Sequence, residues 1–196
     1  MIESLINEYR QLDLPASGII ELDLGCGKGG FSLALARQYP DRLLISSDVM
    51  IGRLRHIENR IRQEHIDNMR IVRGESFAMA QFQLPTQSID RIHILFPDPW
   101  PKDKGKARRL VCTAFLCEIR RVLKPGGILH LATDYQPYFN DWKRILAALP
   151  FYQETPAAIA DIAHIKTDFE RQWEAAGIPA RHICVKYNAE THSDLF

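Results

Sequence analysis

The chain has almost no net charge: 25 Lys and Arg stand against 24 Asp and Glu over 196 residues, leaving a formal +1. No global basic field advertises a nucleic-acid partner, so any such partner must be read from local clusters. Long apolar runs are missing too, and nothing approaches the ~18 residues that a membrane-spanning helix requires. The opening "MIESLINEYRQLD" mixes acids among its apolar residues, which is not the pattern of a secretory signal. The four cysteines, Cys26, Cys112, Cys117 and Cys184, make no C-x-x-C pair and no metal-ligand spacing. A disulfide framework and a metal site are therefore not expected, and a soluble, cytoplasmic protein in a reducing compartment is. Internal repeats, low-complexity tracts and linkers are also lacking, so the length fits one sizeable core.

What is present is an alternation of apolar strands and helical patterns. "GIIELDLG" reads as a buried strand followed by a helix in "FSLALARQY", and "RLLISSD" as a second strand. Apolar residues at Ile51, Leu54, Ile57, Ile61 and Ile66 then keep a helical period. "NMRIVRG", "SIDRIHILF" and "GILHLATD" supply the third, fourth and fifth strands, with "ARRLVCTAFLCEIRRVL" a helix stopped by "KPGG". A strand near Phe151 to Glu154, a helix in "TDFERQWEAAG" and a last strand in "RHICVKYN" complete the pattern. Such alternation predicts an α/β fold with a doubly wound, mostly parallel sheet and helices on both faces. Seven strands are expected in one domain. Residues 1–17 are taken as an N-terminal helix, 18–150 as the core and 151–196 as the closing elements. The stretch 153–166 is the least patterned and is a candidate mobile loop.

The first of these strands runs into "ELDLGCGKGG", where Gly25, Gly27 and Gly30 satisfy G-x-G-x-x-G. The second ends at Asp48, where a carboxylate can accept from both ribose hydroxyls of an adenosine. Asp23 narrows the choice of ligand. At the strand tip it would repel a pyrophosphate but suits the ammonium of an amino-acid moiety, and S-adenosylmethionine has that ammonium and no phosphate. The competing reading is that Asp23 only caps the helix that opens near Gly29. Glu75, at the tip of the third strand, can take the adenine amino group or be a solvated loop acid.

The fourth strand ends in "ILFPDPWPK". Three prolines fix φ and remove three donors, so Asp98 and Trp100 are held by a rigid elbow. An indole offers a stacking face, and a carboxylate can accept both donors on the Watson–Crick edge of guanine. The alternative is an elbow that merely packs a core corner. Next comes "KDKGKARR", with Lys102, Lys104, Lys106, Arg108 and Arg109 against one acid, Asp103. It is either a phosphate-binding cluster or a solvated loop.

"LFPDPWPKDKGKARR", "ATDYQPY" and "TDFERQWEAAGIP", in this order after a glycine turn, resemble the tRNA (guanine-N7)-methyltransferases of the TrmB type. The resemblance implies a Rossmann-like methyltransferase fold with an antiparallel last strand, S-adenosylmethionine as donor, and a variable-loop guanine of tRNA as acceptor. It implies a cofactor side made of Asp23, Gly25, Gly27, Asp48, Glu75 and Asp98, with Asp98 also the catalytic group. Lys102, Asp134, Thr167, Asp168, Phe169 and Glu170 would contact the substrate, and Lys104, Lys106, Arg108 and Arg109 the RNA. No metal and no membrane are implied, and the chain is expected as a monomer or homodimer. The family usually carries glutamate where Asp23 and Asp48 stand and aspartate where Glu75 stands, which changes reach by one methylene.

Three rivals stay open at this level: a base amino-methyltransferase, a nicotinamide dehydrogenase and a non-catalytic RNA-binding subunit. His93 is expected to be a hydrogen-bonded core residue. Nothing is assigned to His164.

Overall fold

A computed structural model describes residues 1–192. Its strands are β1 (Ile2–Ser4), β2 (Ile19–Leu24), β3 (Arg42–Asp48), β4 (Met69–Arg73), β5 (Ile89–Leu95), β6 (Leu123–Thr133), β7 (Tyr152–Glu154) and β8 (Arg181–Tyr187). The α-helices are α1 (Gly30–Gln38), α2 (Ile51–Glu64), α3 (Ser76–Ala78), α4 (Thr113–Val122), α5 (Gln136–Ala147) and α6 (Asp168–Ala175). A π-helical turn, Met79–Gln83, prolongs α3.

The strands form one sheet in the order β1-β4-β3-β2-β5-β6-β8-β7. From β1 to β6 all neighbours are parallel, and β8 runs antiparallel to both β6 and β7. The doubly wound sheet and its antiparallel last strand are thus as expected, with eight strands rather than seven. The order reverses between β2 and β5, which are hydrogen-bonded neighbours. Ligands of open α/β sheets bind in the crevice outside such a reversal.

The extra strand comes from the N-terminus and corrects the expected helix over residues 1–17. β1 pairs with β4, and Leu5 continues the pairing by donating its N–H to Arg73 O. Asn7 then takes φ 61°, which no helix accommodates. The side-chain amide of Gln83 donates to Leu5 O and Glu8 O, both at 2.7 Å, and Leu12 N donates to Gln83 O. Those bonds satisfy the backbone that a helix would otherwise have satisfied internally. Leu5 and Leu12 are buried by the arrangement.

The stretch 153–166 is pinned rather than loose. Asp161 accepts from Arg91 with both carboxylate oxygens at 3.2 Å and lies 3.4 Å from Arg42, while its carbonyl accepts from the Tyr39 hydroxyl. Ile162 is buried against α1 and α2. This segment carries the chain to α6, which matters for the site.

Candidate active site at the switch point of the sheet

β2 and β5 are in register at Asp23 and His93, so the glycine turn and the proline elbow leave the sheet side by side. Gly25, Gly27 and Gly29 all have positive φ (86°, 57° and 77°), a conformation that only glycine adopts cheaply. Gly25 and Cys26 donate their N–H groups to Ser47 O, which ties the turn to β3. α1 begins at Gly30 with Gly29 in the cap position, and no side chain caps it. Asp23 therefore does not cap this helix; its carboxylate instead accepts from the Ser32 hydroxyl.

Asp23 is only 3% exposed. Burial pushes its carboxyl up from the ordinary aspartate range, and the charge of Asp48 adds to this against the opposing Ser32 bond and His93. Asp48 holds the turn from the other side, with Oδ2 accepting from Gly27 N at 3.1 Å and Oδ1 from Met50 N at 2.8 Å. Arg53 also reaches Oδ2, at 3.2 Å. A carboxylate offers about four acceptor sites, so these bonds orient Asp48 without exhausting it. Two buried acids thus face one turn, and burial together with the charge of Asp48 resists the ionisation of Asp23, an arrangement chemically suited to a cation. The Cys26 thiol between them is pushed far up by burial and by both acids, which makes it an inert wall rather than a nucleophile. Glu75 is exposed and caps α3, accepting from Phe77 N and Ala78 N.

The elbow after β5 is strained on both sides of its carboxylate. Phe96 has φ 54° and Trp100 φ 41°, both in the left-handed region that bulky residues avoid at a cost of about 1–3 kcal/mol each. Phe96 N donates to Ala132 O, fixing the start. Asp98, between Pro97 and Pro99, is exposed and without a hydrogen bond or ion pair among the described residues. It is an acceptor held out on a rigid frame and left unused.

Arg109 builds that frame, and this corrects its expected place among the RNA contacts. The residue is 8% exposed, and its guanidinium donates to Pro99 O at 2.7 Å and to Asp141 at 2.5 Å and lies 4.8 Å from the centre of the Tyr138 ring. A cation so engaged is not free for a phosphate. Lys104, Lys106 and Arg108 are exposed on the 3₁₀ turn Asp103–Arg108, with Arg108 over the Trp100 ring at 5.1 Å. Lys102 is exposed just before it.

α6 closes over both loops. A Cβ on Gly30 would stand 2.7 Å from Asp168 Oδ1, and the exposed Phe169 ring is 6.4 Å from that of Phe96. Three motifs far apart in the sequence are thus brought together. Thr167 caps α6 by accepting from Glu170 N at 2.9 Å. Spacing of this kind normally returns the glutamate side chain to the cap. Glu170 instead turns into the protein, is 7% exposed and meets His182 at 3.2 Å. Asp134 is half-buried at the end of β6, where its carbonyl accepts from Arg181; the cap position of α5 falls to Tyr135 instead.

Sequence reasoning took His93 as a hydrogen-bonded core residue, which it is, but passed over Glu21, His130 and His182 and the line they make with it. His93, His130 and His182 form a line with Glu21 and Glu170 that crosses β2, β5, β6 and β8 and ends on α6. The signal was parity: the strand residues of this line occupy one face of central strands whose other positions are apolar, where a buried parallel sheet is normally apolar on both faces.

Comparison with known proteins agrees with this geometry. A family model described as "Putative methyltransferase" matches residues 17–182. A tRNA (guanine-N(7)-)-methyltransferase of Nitrosococcus oceani is 33% identical over 156 residues, 80% of this chain and 66% of that protein. Its namesake in Polaromonas naphthalenivorans is 34% identical over 71% of this chain and 57% of that protein. The chain thus matches 66% and 57% of the length of these two relatives. Among solved structures, a 16S rRNA methyltransferase, KamB, superposes with TM-score 0.66 at 14% identity, covering 90% of this chain and 95% of that one. A SAM-dependent methyltransferase of Aquifex aeolicus gives 0.60 at 15%, covering 87% and 83%. These two share the fold. The sequence matches go further, and the chain belongs to the methyltransferase family that includes the tRNA (guanine-N7)-methyltransferases.

Proposed function

We propose that the chain transfers a methyl group from S-adenosylmethionine to N7 of a guanine in the variable loop of tRNA. The observation that carries this reading is the pairing at the switch point. A cation-receptive pair of acids, Asp23 and Asp48, flanks the glycine turn, and the unused carboxylate of Asp98 stands beside it on a strained elbow. The relatives named for this reaction support the choice of base and RNA.

Asp48, with three donors already on it, would hold one ribose hydroxyl, and both once the exposed Arg53 gives way, while Asp23 would hold the ammonium of the donor and Glu75 would lie near the adenine. N7 carries a free lone pair and no proton, so the chain needs no general base. The bound donor would supply a sulfonium methyl, so that a carbon–sulfur bond would be exchanged for a nitrogen–carbon bond and the positive charge would pass to the purine. Catalysis then rests on proximity and alignment, with a carboxylate stabilising the charge as it develops. Asp98 suits that role and recognition of the guanine edge. Lys102, Asp134 and the Thr167–Glu170 turn border the base, while Lys104, Lys106 and Arg108 face the RNA backbone.

The test is incubation of unmodified tRNA with labelled donor, followed by mass spectrometry of its nucleosides. 7-Methylguanosine is expected, and Asp98→Ala should lower its formation about 10²–10³-fold, the usual loss for a group stabilising transition-state charge. Label in an exocyclic amine instead would favour the amino-methyltransferase reading.

A further inference from the structure

One face of the central sheet carries a continuous polar line. Glu21 Oε2 meets His93 Nε2 at 2.9 Å, and His93 Nδ1 meets His130 Nδ1 at 3.1 Å. His130 Nε2 meets His182 Nδ1 at 3.0 Å, and His182 Nε2 meets Glu170 Oε1 at 3.2 Å. All six ring nitrogens are engaged. Glu21 and His93 are fully buried, and the His182 side chain, at the outer end, is 31% exposed.

Proton counting gives this line a property that no single bond has. Four hydrogen bonds need four protons. Three neutral imidazoles supply three, and two carboxylates supply none. We infer that the array holds one proton beyond three neutral rings, and that this proton keeps Glu170 fastened to His182, making His182 and His130 positioning residues for the α6 side of the site.

The surroundings fit that charge. Glu21 also accepts from Arg42, Arg91 is 3.9 Å away, and Asp161 holds both arginines. Two arginines and the extra proton balance the carboxylates of Glu21, Asp161 and Glu170. Asp23 and Cys184 are further titratable neighbours, Arg181 stands beside His182 on β8, Asp168 and Arg171 pair with each other on α6, the helix of Glu170, and Phe31 closes the α1 side edge-on to His93. Burial works to raise the Glu21 carboxyl, but the His93 bond and charge, with Arg91 and Arg42, hold it at about 2. His130 is driven far down by burial and by the ring on either side. The extra charge therefore belongs at an end, on His93 or His182. Passing it between them needs only that the two shared ring protons change sides.

Removal of the extra proton must open one of these hydrogen bonds. At the inner end that would strip a donor from a fully buried carboxylate. Solvent can replace the donor only at the outer end, so Glu170 is the group released.

Imidazole ¹H–¹⁵N spectra of the ligand-free chain test this without reference to activity. At neutral pH we expect a neutral His130, one imidazolium's worth of signal shared by His93 and His182, and one common titration midpoint. Glu170→Gln supplies the fourth proton from its amide, so that midpoint should fall by about 1–3 pH units. Three neutral rings at pH 7, or a midpoint unmoved by Glu170→Gln, would overturn the inference. A second readout rests on the methyl-transfer reading. Methylation should decline as pH rises through the wild-type midpoint, and His182→Gln, a donor at every pH, should abolish the decline. An identical alkaline decline in His182→Gln would show that the array does not position Glu170. If the chain proves inactive on tRNA, the spectra still decide the proton count.

Discussion

The two faces of the central sheet are built on opposite principles. On one, Ile20, Leu22 and Leu24 of β2, Ile92 and Ile94 of β5, Leu129 and Leu131 of β6 and Ile183 and Val185 of β8 pack against Phe115, Leu116 and Ile119 of α4 and Tyr138 and Trp142 of α5. On the other, the alternate positions of the same strands include Glu21, Asp23, Arg91, His93, His130 and His182, set among Leu95, Ile128, Ala132 and Cys184. The first face is a dry core, which supplies stability in proportion to the apolar area it removes from water. The second holds polar and charged side chains out of water on strands that lead to the crevice. Adjacent residues thus have different surroundings: Leu131 lies in the apolar core, while His130, one position earlier, lies in the histidine line.

That division can be broken most severely from the apolar side. Leu131→Ala should cost about 2–5 kcal/mol of stability in denaturant unfolding, because a fully buried leucine leaves a cavity. The methylation rate per folded molecule should hold, and a matching fall in rate would mean that the faces are not separable.

On the polar side the sign should reverse. Asp23 has its folded pKa raised, so its ionised form costs stability. The cost is absent below the ordinary aspartate range near ~4 and fully present above the raised value. Asp23→Asn should therefore stabilise the ligand-free chain at neutral pH, where each 1 kcal/mol is worth about 2–4 °C of Tm at this size. The same change should weaken S-adenosylmethionine binding by about 10–100-fold in calorimetry, the worth of a hydrogen bond to a charged group. A lower Tm would contradict the assignment of Asp23 as a strained receptor.

The smallest effect belongs to the rim. Replacing Lys104 and Arg108 by alanine should flatten the log–log salt dependence of tRNA binding by ~0.7–0.9 for each phosphate no longer neutralised. Including Arg109 should lower the rate rather than flatten the slope further, since its cation holds the elbow. An unchanged slope in the double variant would make the cluster a solvated surface.

The parts of this picture that local pattern encodes were readable from sequence. Strand–helix alternation, the glycine turn and the Pro-Asp-Pro-Trp elbow are each written in short stretches of neighbouring residues. What escaped depends on distant partners. β1 is three residues long and exists through pairing with β4, and Gln83 supplies the bonds that displace a helix there. Arg109 reads as one more cation in a basic loop until Asp141 and Pro99 O are placed around it. The stretch 153–166 lacks periodicity because ion pairs from Asp161 anchor it, not a repeating apolar face. The histidine line was visible only as parity, and its meaning needed the sheet order.

A crystal structure of the chain with S-adenosylmethionine would test the account most directly. The donor's ammonium should lie at Asp23, its ribose at Asp48, and its sulfonium methyl should open onto the space beside Asp98. A methyl directed away from that carboxylate, or a donor bound elsewhere than the crevice between β2 and β5, would contradict it.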